Sequence, residues 1–237
     1  MSAIGFLHEK LVFNRRVETL AEWFAKLVPS TARVLDVGCG DGLISAVLQS
    51  RRPDLTVTGI DVLPRAHTHI PVEIFDGSGI PFADESFDVL LFSDVLHHTP
   101  DPTTLLHEAR RVATHSVLIK DHNRDGVAAG ARLRFMDWVG NARFGVALPY
   151  NYWTMSQWRD AWQEIGLHAD QIITDLGLYP LPANWIFGAK LHFITRLTKC
   201  ALVCRRRGHC QEAKTRTASQ SGCRGTQRTN DADGEPD

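Results

Sequence analysis

Residues 34–42, "VLDVGCGDG", restrict the possible folds more than any other stretch of the chain. Apolar positions of strand character run into Asp36, and Gly38, Gly40 and Gly42 then occupy every second place. Glycines at this spacing permit tight backbone turns and remove the side chains that would hold a ligand away from the main chain. The next residues, "DGLISAVLQSRR", read as a helix, so the turn joins a strand to a helix and presents amide donors at the helix start.

The same alternation continues downstream. "RVLDV", "LTVTGID", "PVEIF", "FDVLLFS" and "SVLIKD" are rich in β-branched and large apolar residues and read as strands, most of them separated by helical segments. In "PTTLLHEARRVA", Asp101 is placed to cap the helix and Pro102 takes its first position. Continuous apolar strands interleaved with helices predict a parallel sheet covered on both faces. Upstream, Val17, Leu20, Phe24 and Leu27 recur at helical spacing, which predicts an amphipathic helix over 12–28 within an N-terminal region of residues 1–30.

After "SVLIKD" the alternation pauses for an insert of about thirty residues, longer than the usual connection. The insert spans about 122–155 and is rich in aromatics and arginines. A helix resumes at "SQWRDAWQEIGL", with Ser156 as the expected cap and Gly166 as the stop, and "QIITDL" follows as a strand. The segment "KLHFITRLTKCALVC" fits both periodicities: Leu191, Phe193, Thr195 and Leu197 alternate, while Ile186, Phe193, Ile194, Leu197 and Ala201 share a helical face. The core domain is expected to end near residue 204. From Arg205 to Asp237 there is almost no large apolar residue, and this stretch is expected to be a disordered tail.

With 26 basic against 27 acidic side chains, the chain has no overall field to draw it onto nucleic acid. No leader pattern is read at "MSAIGFLHEK", and no run reaches the ~18 apolar residues that cross a bilayer, so a cytoplasmic protein is expected. Cys200, Cys204, Cys210 and Cys223, with His209, match no paired metal-ligand spacing, so no metal site is assigned.

Three acids define what the glycine turn would hold. Asp36 stands at the first strand's tip, where a pyrophosphate would meet a carboxylate, and the glycine spacing differs from the G-x-G-x-x-G of dinucleotide sites. An ammonium group and a positive sulfur suit that acid instead. Asp61 closes the second strand about twenty residues on, where a carboxylate can accept from ribose hydroxyls. Asp76 follows the third strand, placed for an adenine amino group, with Gly77 leaving room for the ring.

Together "VLDVGCGDG", "GIDV", "FDGSGIPFADESFDVLLFSDVLHH" and "LLHEARRV" resemble the class I, Rossmann-like S-adenosylmethionine-dependent methyltransferases, in the branch that modifies small molecules. The resemblance covers about residues 12–121 in one order. It implies an α/β three-layer sandwich around a seven-stranded, mostly parallel sheet whose last strand is antiparallel, which favours a strand over 190–198. It also implies S-adenosyl-L-methionine as cofactor, with the methionine end on Asp36, Gly38, Gly40 and Gly42, ribose on Asp61, adenine on Asp76 and Gly77, a further wall at Ser93, and Cys39 and Val62 as additional cofactor contacts. One departure stands out: Gly77-Ser78-Gly79-Ile80 fills a motif that in the family usually reads acid, small, acid, Leu-Pro-Phe.

Methyl transfer from a sulfonium is an in-line displacement that needs alignment, exclusion of water and, for a protic acceptor, a base. Candidates at the ends of the fourth and fifth strands are Asp94, His97, His98, Asp121 and His122, with His122, His97 and His98 as the catalytic candidates. The plain alternative is that the histidines shape loops or bond to a neighbouring acid. Phe135, Trp138, Phe144, Tyr150, Tyr152 and Trp153 form the expected acceptor wall, although such a stripe is more often core packing, and an aromatic or lipophilic small molecule is the expected partner. Two further readings compete: a nicotinamide-dependent oxidoreductase, and a membrane-surface protein using residues 183–207 as a basic amphipathic helix.

Overall fold

The computed structural model describes residues 13–141, 149–181, 184–188 and 190–199. Helix α1 (Asn14–Leu27) precedes β1 (Arg33–Val37), α2 (Leu43–Arg51), β2 (Thr56–Asp61), β3 (Val72–Ile74) and β4 (Phe87–Ser93). A 3-10 turn (Leu96–His98), α3 (Pro102–Val112) and β5 (Ala113–His122) follow. Next come α4 (Ala129–Asn141), α5 (Met155–Ile165), β6 (Leu167–Ile173), a π turn (Asn184–Gly188) and β7 (His192–Lys199).

The strands form one sheet in the order β3-β2-β1-β4-β5-β7-β6. Pairings among β1 to β5 are parallel, and β7 runs antiparallel between β5 and β6. Each sheet face is covered, which gives the three layers expected. On one face Leu35, Val37, Leu90 and Phe92 pack with Leu105, Leu106 and Ala109 of α3 and Trp158 and Trp162 of α5. On the other, Val34, Val57, Val89 and Leu91 pack with Leu20, Phe24 and Leu27 of α1 and Leu48 of α2. Alternate residues of β1 therefore serve opposite cores, which is why Val34, Leu35 and Val37 are all apolar, with Asp36 the buried exception near the tip.

The same logic resolves the ambiguous segment. Phe193 belongs to the first core and Ile194 to the second, so β7 is apolar on both sides and mimics a helical stripe. Its pairing with both β5 and β6 overturns a basic membrane helix over 183–207, since residues 192–199 are a central strand.

Two local expectations are corrected. Thr154, not Ser156, caps α5: its side chain accepts from the Gln157 amide and the Gln157 side chain returns to the Thr154 amide. That reciprocal pair satisfies two orphan donors, which a serine two residues later cannot do. The insert also contains α4, whose Ala129 and Leu133 pack with Tyr152 and Leu191 in a small third core. Asp101 and Pro102 begin α3 as expected, with Asp101 accepting from the Thr103 amide at 2.9 Å, and Gly166 ends α5 in the left-handed region. The expected tail over 205–237 and its cysteines lie outside the described residues.

Candidate active site

The carboxyl edge of the sheet carries two clusters side by side. The first is built on the ends of β1, β2 and β3. Gly38, Gly40 and Gly42 all have positive φ, at +74°, +62° and +77°. A Cβ at Gly38 would lie 2.6 Å from Val95, and one at Gly42 would lie 2.4 Å from Ile70, so both positions are closed to larger residues. Gly40 differs, because nothing lies within 4 Å of its Cβ position. A ligand can therefore approach the backbone there.

Acids surround this opening. Asp61 Oδ2 accepts from the Gly40 amide at 2.7 Å and Oδ1 from the Leu63 amide at 2.8 Å, which locks the turn to the second strand. Asp36 is buried and accepts from Ser45 Oγ at 2.6 Å, while its Oδ1 has no hydrogen-bond partner among the described residues. Burial raises the Asp36 pKa to about 7, against the Ser45 bond, which lowers it. An orphaned acid beside an open backbone crook fits a cationic ligand, and the expected cofactor passes this test. Asp36 and Gly40 would hold its methionine end, and Asp61 has lone pairs left for a ribose hydroxyl.

The remaining expected contacts are less uniform. Asp76 is exposed, and its Oδ1 accepts from the Ser78 amide, the Ser78 hydroxyl and the Gly79 amide, which hold its pKa below the ordinary value. Gly77 has φ of +85°, and a Cβ there would lie 3.0 Å from Val62, so the glycine makes room for Val62, itself half exposed. Cys39 tucks its thiol against Gly59, where a Cβ would lie 2.5 Å from Sγ, and burial raises its pKa. Ser93 Oγ is buried with no hydrogen-bond partner among the described residues.

The second cluster joins the ends of β4 and β5 to the start of β7. Register places Ser93 beside Lys120 and His122 opposite His192. Asp94, in the left-handed region at φ of 58°, bonds Arg16 of α1 through Oδ2 and Lys120 through Oδ1. Lys120 also lies 3.3 Å from His192 Nδ1, and His192 Nε2 lies 3.1 Å from the Phe187 carbonyl. Asp121 Oδ1 lies 2.6 Å from His97 Nδ1 and accepts from the His122 amide at 2.7 Å, and Oδ2 accepts from the Leu96 amide at 3.1 Å. His97 Nε2 lies 3.5 Å from Asp137 of α4, which also receives the Tyr152 hydroxyl.

Electrostatics sort the histidines. Burial would lower the His97 pKa, but Asp121 and Asp137 outweigh it and raise the value to about 10. Burial lowers His122 to about 4, helped by the adjacent His97 charge. His98, beside His97 at a ring separation of 4.0 Å, is also lowered by burial. The fold thus brings His97, His98 and His122 together. It adds Arg16, Lys120, Asp137, Tyr152 and His192, none of which the sequence reading assigned to this cluster. A lysine inside the apolar run "SVLIKD" and a histidine inside "LHFIT" were the available signals, since a buried charge or imidazole needs a partner.

The aromatic wall divides. Tyr152 is buried, Trp153 packs 4.8 Å from Trp158, and Phe135 and Trp138 stand more than half exposed on α4. Phe144 lies outside the described residues.

A family model described as a methyltransferase domain matches residues 11–172, more than half of the chain. The chain belongs to this methyltransferase family. It carries a methyltransferase domain on the fold shared by solved methyltransferases. Among curated relatives, the 2-methyl-6-phytyl-1,4-hydroquinone methyltransferase of Synechocystis sp. is 30% identical over 174 residues, covering 68% of this chain and 48% of that protein. The ubiquinone biosynthesis O-methyltransferase of Xanthomonas axonopodis pv. citri is 38% identical over 94 residues, 35% of this chain and 38% of that one. The chain spans about half the length, or less, of these relatives. A putative methyltransferase from Bacillus halodurans shares the fold, with a TM-score of 0.55 at 16% identity over 78% of this chain and 99% of that one. Family membership replaces the nicotinamide reading.

Proposed function

We propose that this methyltransferase transfers the methyl group of S-adenosyl-L-methionine to an oxygen or activated carbon of a small aromatic or lipophilic molecule. The observation that carries the reading is the adjacency of the two clusters: Val95, one residue past Asp94, lies against Gly38 of the cofactor crook. The bound cofactor supplies an electrophilic methyl on a sulfonium whose departure leaves a neutral thioether. The chain's own residues then have to align the acceptor and provide for its proton. His122, at the end of β5 and 3.3 Å from His97, is the residue we assign to the acceptor side, with His97 and His98 beside it.

Two kinds of support bear on the acceptor. The names of two relatives refer to a hydroquinone and to ubiquinone biosynthesis, which are aromatic and lipophilic chemistry. The exposed Phe135 and Trp138 offer apolar surface on the insert, where substrate-determining additions to such a sheet are expected. The reading includes a cytoplasmic enzyme that touches a membrane peripherally for a lipophilic acceptor. Among the described residues no helix is long and apolar enough to cross a membrane.

Incubation with methyl-labelled cofactor and a metabolite extract, followed by mass spectrometry, tests the proposal. A labelled small phenol, quinol or related molecule is expected. Label confined to protein or nucleic acid would contradict it.

A further inference from the structure

The second cluster has a geometry that acid and base chemistry alone does not require. His97 Nδ1, Asp121 Oδ1 and His122 Nδ1 form a triangle with sides of 2.6, 3.3 and 3.4 Å. A fourth atom, Asp94 Oδ1, lies 3.6 Å from His122 Nδ1. Ligand atoms held about 2.1 Å from one small cation are separated by about 3.0–3.4 Å, octahedral or tetrahedral; the two sides at His122 have that length, and the 2.6 Å side is a hydrogen bond that lengthens when a metal displaces its proton. We propose that His97, His122 and Asp121, with Asp94 at the edge, bind one first-row divalent cation of the zinc, manganese or ferrous class.

Three features beyond the spacing favour a cation here. The ligand set is two imidazoles and a carboxylate on neighbouring strand ends, the donor chemistry that suits these ions and leaves coordination positions open. The three principal ligands are buried, so their orientation is fixed before binding. His97 also has an acid on its far side, where metal-bound imidazoles have their outer partner: Asp137 Oδ1 lies 3.5 Å from Nε2, longer than an ordinary hydrogen bond, and Tyr152 bonds Asp137 in turn.

Charge admits either a metal or a proton. With His97 neutral, the carboxylates Asp94, Asp121 and Asp137 face the cations Arg16 and Lys120, one positive charge short of balance, which a proton on His97 or a metal ion can supply. The competing occupant is a single proton shared by His97 and Asp121. The proposal does not depend on the identity of the acceptor or on turnover.

The test uses the full chain purified without chelator. Elemental analysis should find about one equivalent of a first-row metal, and the stripped protein should take up Co2+ with the visible bands of nitrogen and oxygen ligation. His122→Gln should weaken Co2+ binding by about 100-fold or more, and Asp137→Asn by about 10–100-fold through the outer partner. Each variant is compared after a cooperative thermal transition shows that it is folded, and the wild-type result stands apart from either. Less than about a tenth of an equivalent, with no Co2+ bands on folded wild-type protein, would leave only the shared proton and overturn the site. Intense near-ultraviolet thiolate bands would assign the metal to the late cysteines and overturn it equally.

Discussion

The two halves of the carboxyl edge are built by opposite means. On the β1, β2 and β3 side, Asp36, the three glycines and Asp61 come from two short stretches, and each piece bonds mainly to its neighbours in that motif. On the β4, β5 and β7 side, Asp94 meets an arginine 78 residues earlier, and Lys120 meets a histidine 72 residues later. A donor common to a whole family can be held by local backbone geometry. The proposed acceptor side is instead built from side chains that only the tertiary fold assembles.

The sharpest way to break this contrast is on the local side. Asp61→Ala removes the acceptor of two turn amides as well as the proposed ribose contact, so cofactor affinity should fall about 100-fold and stability by ~2 kcal/mol. Calorimetric binding and thermal unfolding measure the two effects. On the assembled side, His122→Ala should lower turnover by about 100-fold while the cofactor dissociation constant stays within about twofold. A rate equal to wild type would remove His122 from the chemistry.

A smaller effect follows from the Asp36 pKa of about 7. A cationic ligand binds the carboxylate form, which is scarce at pH 6 and dominant at pH 8, so cofactor affinity should rise about tenfold across that interval. Asp36→Asn should flatten the profile. The sign reverses for the empty protein: because the acid's folded pKa lies above its unfolded value, ionising it costs stability as pH rises from about 4 to about 7. The smallest expected change is at the exposed aromatics. Phe135→Ala with Trp138→Ala should shift stability by less than ~0.5 kcal/mol yet raise KM for a lipophilic acceptor several-fold.

The glycine separation sharpens the same comparison within one motif. Gly42→Ala forces a Cβ into Ile70 and should lower the melting temperature. Gly40→Ala meets no neighbour and carries only the strain of its φ of +62°, about 1 kcal/mol, so it should lower the melting temperature less than Gly42→Ala and act more on cofactor binding.

Legibility in the sequence followed this division. The strands, the glycine turn and the acids at strand tips were readable because side-chain period and turn chemistry are local properties. Thr154 was missed as a cap although its partner Gln157 stood three residues on, since Ser156 offered the same hydroxyl. Helix α4 was hidden by a weak apolar periodicity, its packing being against Tyr152 and Leu191 from other segments. Arg16 gave no signal at all, because an arginine on an amphipathic helix ordinarily faces water. Here it reaches the acid at the end of β4.

Titration calorimetry with adenosylhomocysteine and with NADH tests the central claim most directly, namely that the crook between Asp36 and Asp61 is shaped for an adenosyl amino acid and not for a dinucleotide. Saturable heat with the first, weakened by Asp36→Asn, and none with the second is the predicted result. Binding of NADH with no response to adenosylhomocysteine would contradict it.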